Sequence, residues 1–175
     1  MRLTLLSPHQ DEVRQEYALA FPDWFQERTR QKVAAARQAL QVWLRNPSSP
    51  QDQAVRQAFQ DLLRDWKAED VPEVSAAHDR WLQQPTPEQG ENLLRALDQW
   101  AEQPHPVEIV WQDIGGGTSQ IVRFVGARFQ SHPEGIGIDL LFGGGTDIYL
   151  RFADQGVLEK VDLTPELLQR IPPDL

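Results

Sequence analysis

GGGTSQIVRF, residues 115–124, returns as GGGTDIYLRF, residues 143–152. Gly, Gly, Gly, Thr, Arg and Phe coincide in the two copies. Each triplet joins one apolar run to another. Glycine allows the positive φ angles of tight turns, and β-branched and aromatic residues flank both copies. The pattern predicts two hairpins, 107–129 and 135–153. Their strands fall near 107–114, 119–129, 135–142 and 146–153, with room for a short fifth near 157–162. On this reading the triplets only reverse the chain and hold no ligand. The second strand has Ile121, Val125, Ala127 and Phe129 on one face and Val122 and Phe124 on the other, so it belongs at the centre of the sheet. Gly126 within it marks a bend.

The six residues DIGGGT, 113–118, resemble the phosphate-binding turn of the actin-like ATPase superfamily. The resemblance implies nucleotide phosphates seated on glycine amides between two large domains, with a second glycine-containing turn near the N-terminus. The segment MRLTLLSPHQDE at residues 1–12 holds no glycine, and 175 residues are too few for that fold. The hairpin reading is therefore the expectation.

Residues 7–103 carry helix signals. Ser7-Pro8, Ser49-Pro50, Thr86-Pro87 and Thr164-Pro165 each offer a capping hydroxyl followed by proline at the first helical position. Gln10 and Gln89 stand three residues beyond Ser7 and Thr86, the capping-box spacing. Pro22 is expected to end a first helix, and Asp23 to cap a second. Apolar residues then recur in steps of three and four. The stripes are Phe25, Val33, Ala36, Leu40, Trp43 and Leu44; Val55, Ala58, Phe59, Leu62 and Trp66; Val74, Ala77 and Trp81; and Leu93, Leu97 and Trp100. WLRNPSSPQ (43–51) and WLQQPTPEQ (81–89) use one turn twice. Pro104 and Pro106 close the helical region.

The expected fold is α+β. A bundle of about five helices fills 1–105. An antiparallel meander of four to five strands and a short terminal helix, TPELLQRI, fill 106–175, packed on the bundle as one unit.

The formal charge is 17 − 26 = −9, with −4 in residues 1–105 (12 − 16) and −5 in 106–175 (5 − 10). Acidity this evenly spread disfavours binding to a phosphate backbone, which needs clustered cations. The chain has no cysteine, so disulfides, thiolate nucleophiles and cysteine-bound zinc are excluded. No apolar run reaches the length of a membrane span, and the start is too short and too acidic for a signal peptide, so a cytoplasmic protein is expected. His9, His78, His105 and His132 show no metal-ligand spacing, and no G-x-S-x-G motif occurs. No catalytic residue, cofactor or metal is assigned.

These exclusions favour a non-enzymatic interaction protein, an adaptor, inhibitor or immunity-type protein with an unknown, basic protein as partner. The alternatives are nucleic-acid binding through the C-terminal sheet and a metal-dependent hydrolase with carboxylates between the two regions. The candidate partner-binding residues are Trp24, Arg123, Arg128, Tyr149 and Arg151. Trp24 precedes its helix's main stripe. The arginines are expected on strands, where Arg123 and Arg151 would pair with Asp139 or Asp147.

Overall fold

The computed structural model describes residues 1–161 and Gln169. The terminal helix expected at TPELLQRI, with the Thr164-Pro165 cap, lies outside the described residues. The chain divides into two compact units, Met1–Thr4 with Asp11–Val110, and Leu5–Gln10 with the chain from Trp111 onward.

The first unit is helical. It contains α1 (Asp11–Arg45), α2 (Ser49–Leu63), a 3₁₀ turn (Ala68–Asp70), α3 (Pro72–Gln83) and α4 (Pro87–Ala101). α1 packs on α2 and α4, and α3 packs on α4. The predicted stripes form its core: Leu40, Val55, Phe59, Val74, Trp81, Leu93 and Leu97 are fully or almost fully shielded from solvent. Tryptophan edges tie α1 to α3, and the bend after α2 to α4. Trp43 meets Trp81 at 5.3 Å, and Trp66 meets Trp100 at 5.2 Å, both edge-on. Three ion pairs add cross-links: Asp65 takes both Arg28, at 3.0 Å, and Lys32, and Arg37 pairs with Asp98 at 2.7 Å.

Two boundaries differ from expectation. Pro22 does not break the first helix but sits inside the 35-residue α1. An interior proline costs about 3 kcal/mol in a helix. An aromatic ladder at i, i+4 spacing spans it: Tyr17 stacks on Phe21 at 5.4 Å, and Phe21 on Phe25 at 5.8 Å. Ser7 does not cap a helix either. Its Oγ accepts the amide of His9 at 3.1 Å, closing a local turn, and α1 starts at Asp11. The N-cap position of α2 is Ser48, one residue before the expected Ser49, and its side chain makes no capping hydrogen bond. Thr86 behaves as read, its Oγ1 accepting the Gln89 amide at 3.3 Å with Pro87 opening α4.

Residues 106–161 overturn the expected sheet. Among the described residues there is no antiparallel meander and no β-hairpin. Instead three short strands, β1 (Arg2–Leu6), β2 (Glu108–Trp111) and β3 (Leu140–Leu141), form a parallel sheet in the order β2-β1-β3. β1 pairs with β3 through Leu5↔Leu140 and Leu6↔Leu141. Both glycine triplets open helices, α5 (Thr118–Ser131) and α6 (Thr146–Asp154). The sequence repeat is thus a structural repeat, but of strand–glycine loop–helix. The physical reason lies in the stretches read as strands. IVRFVGARF is apolar at Ile121, Phe124, Val125 and Phe129, which is a helical face as well as a two-faced strand. The second unit's core confirms the helical spacing: Ile121 and Val125 of α5, and Ile148 and Phe152 of α6, are i, i+4 pairs buried with Leu6.

Candidate functional site

In a parallel sheet all strands end at one edge, and ligands of open α/β sheets lodge outside those carboxyl ends. In the second unit three segments leave that edge. Ser7–Gln10 follows β1, Gln112–Gly117 follows β2, and Phe142–Gly145 follows β3. Backbone bonds draw them together: the Gln112 amide donates to Leu5 O at 2.8 Å, and the Phe142 amide to Leu6 O at 2.9 Å.

Side chains continue the convergence. The His9 ring lies 5.2 Å from the Phe142 ring, and Phe142 lies 6.2 Å from Trp111 at the end of β2. Gly143 approaches His9 so closely that a Cβ there would run into the imidazole, and its φ of +86° also favours glycine. Tyr149 of α6 fixes the same loop, with its hydroxyl accepting the Gly143 amide at 3.2 Å and lying 3.1 Å from Leu141 O. On the β2 side, Asp113 Oδ1 accepts the Gly115 amide at 2.9 Å.

The two glycine loops are not copies in conformation. Gly143, Gly144 and Gly145 all have positive φ, whereas only Gly115 does in the first triplet. The helices they open also differ in charge. The first turn of α6 carries Asp147, while that of α5 carries no acid and presents Thr118 and Ser119 behind the exposed Gly115–Gly117. Helix N-termini present unsatisfied amides that favour negative charge, so the α5 loop is the better of the two for an anionic group.

Trp24 belongs to the first unit, is 55% exposed, and has the Arg28 guanidinium 5.5 Å from its ring. Arg123 and Arg128 are exposed on α5, with Arg128 over Phe124 at 5.6 Å, and Arg151 is exposed on α6. The expected strand placement of these arginines is overturned, because Arg123 and Arg128 lie on α5 and Arg151, with Asp147, on α6. Tyr149 alone joins the loop cluster. Sequence reasoning missed His9 and the strand before it. RLTLL followed by a Ser-Pro turn was a readable strand-and-turn signal. Among the described residues, no group of three or more His, Asp or Glu side chains is placed to hold a metal ion. No helix among them is long and apolar enough to cross a membrane.

Comparison with protein families, curated proteins and solved structures finds no match to this chain.

Proposed function

We propose that the protein is a non-enzymatic binding protein whose occupant is a small molecule bearing an anionic oxygen group. The binding surface is the carboxyl edge of the sheet in the second unit, formed by Ser7–Gln10, Gly115–Gly117 and Gly143–Gly145. The observation that carries this reading is the convergence of a histidine turn and two glycine triplets on one edge of one parallel sheet. Glycine brings backbone amides within reach of a ligand, and the histidine adds a donor. The two ionisable side chains of these loops have structural partners: Asp113 holds the Gly115 amide, and His9 packs on Phe142. That supports binding over catalysis. The expectation that the triplets merely reverse the chain is withdrawn with the hairpins.

The test is thermal unfolding with phosphate, sulfate, citrate and acetate, repeated with H9A and G117A. Gly117 has φ −90° and open space where a methyl group would project, so alanine there adds no strain. A ligand at 100 times its Kd stabilises by about 2.7 kcal/mol. The proposal expects one anion class to raise the melting temperature in the wild type and to lose that effect in both variants. Equal shifts in all three proteins would reflect general salt action and refute it.

A second reading keeps a protein partner, on the strength of the exposed Trp24. Its test is co-purification with wild-type bait and W24A bait. Identical protein sets would end it.

A further inference from the structure

The first unit contains a groove of about 450 Å³, within the size range of small-molecule sites. Its walls include Phe25, Trp66, Trp100 and His105. These rings form one connected set. Phe25 meets Trp66 edge-on at 5.3 Å, Trp66 meets His105 at 5.4 Å, and His105 stacks on Trp100 at 4.1 Å. A hydrogen bond of 2.6 Å between His105 Nε2 and Trp100 O holds that wall in place.

Two polar groups of the lining residues stand out. Trp66 Nε1 and Thr29 Oγ1 are buried, and no described residue gives either of them a hydrogen-bond partner. Buried polar groups are normally satisfied, and an indole N–H can only donate. The remaining signal is charge. Arg30 and Arg37 line the groove and no Asp or Glu does, in a chain of net charge −9. Their ion-pair partners, Glu27 and Asp98, lie outside the lining.

We infer that this groove binds a small aromatic carboxylate, its ring against Trp66, Trp100 and His105 and its carboxylate toward Arg30 and Arg37. Ring-on-ring contact supplies affinity, and the guanidiniums select the anion over a neutral molecule of the same shape. The site is independent of the sheet-edge proposal, because every lining residue belongs to the first unit.

The experiment follows the six tryptophan indole N–H signals by ¹H–¹⁵N correlation spectra of the full chain. Naphthalene-2-carboxylate is titrated first, then naphthalene-2-carboxamide as the neutral isostere. The expected result is saturable movement of the Trp66 and Trp100 signals with the Trp111 signal unmoved. The carboxamide and the R30Q variant should each weaken binding about tenfold, the loss of about 1.4 kcal/mol expected for one charge-assisted contact. Arg30 is a surface side chain, 70% exposed, so its replacement leaves the core intact. A Trp66 signal that stays still at millimolar carboxylate overturns the site. Equal binding of carboxylate and carboxamide overturns the assigned ligand class.

Discussion

The hydroxyl of Tyr149, in the first turns of α6, accepts the backbone N–H of Gly143 at 3.2 Å and so ties the helix to the loop that precedes it. The same oxygen lies 3.1 Å from Leu141 O and 3.2 Å from Gly143 O, so its proton also has an acceptor. Tyr149 is thus a brace for the glycine loop. Replacing it with phenylalanine keeps the ring and removes these bonds. Y149F should lose about 1 kcal/mol in urea unfolding. Amide exchange at Gly143–Gly145 should accelerate by more than the global loss explains. Unchanged exchange there would show that the brace carries nothing.

Gly143 is held by two separate restraints, its φ of +86° and the His9 imidazole. G143A should destabilise by about 2 kcal/mol or more, since backbone strain alone accounts for about 1–3 kcal/mol. H9A removes the clash but not the strain. In a double-mutant cycle the two changes should therefore couple by at least about 0.5 kcal/mol, measured by urea unfolding. Strict additivity would mean that loop and histidine do not touch in solution.

Gly90 should reverse the usual helix rule. Alanine in a helix interior is normally favoured over glycine by about 1 kcal/mol. Here a Cβ would stand 2.7 Å from Trp43 Cζ3 and 2.9 Å from Leu44 Cδ2. Trp43 is buried against Trp81 and cannot swing aside. G90A should destabilise by about 1–3 kcal/mol, the usual cost of overpacking. A rise in the thermal midpoint would contradict this packing.

His78 gives the first unit a pH dependence. Its ring is buried, stacked on Phe59 at 5.2 Å with an interplanar angle of 13°. Burial lowers its pKa from the ordinary 6.5, Arg56 lowers it further, and Asp79 opposes both. Below pH 6.5 the unfolded chain then binds more protons than the native one, so stability rises with pH. The contribution is complete above about pH 6.5 and is lost as pH falls toward the native pKa, by at most about 1.4 kcal/mol per pH unit. Urea midpoints between pH 7.5 and 5.5 should fall more steeply for wild type than for H78F. Parallel slopes would show that His78 titrates alike in both states.

The helical region was legible because its signals are local and redundant. At α4, Thr86, Pro87 and the Leu93–Leu97–Trp100 stripe all point to one helix. Pro22 misled because its local cost is outweighed by Tyr17, Phe21 and Phe25 packing across it. The C-terminal region failed for a different reason. Leu140–Leu141 is a two-residue strand whose partner, Leu5–Leu6, lies about 135 positions away in the chain, a pairing no local pattern announces. Once strand pairing is parallel, a helix must carry the chain back, and Thr118 and Thr146 then begin helices where hairpin returns were expected. His9 was invisible as a site residue for the same reason. Its neighbours Phe142 and Gly143 reach it only through the sheet.

The most direct test of the account is a backbone amide titration of the full chain with phosphate and with citrate. The amides of His9, Gly115–Gly117 and Gly143 should shift together along one saturating curve for at least one of these anions. No movement at tens of millimolar anion, or small unsaturating drifts shared by all exposed amides, would contradict it.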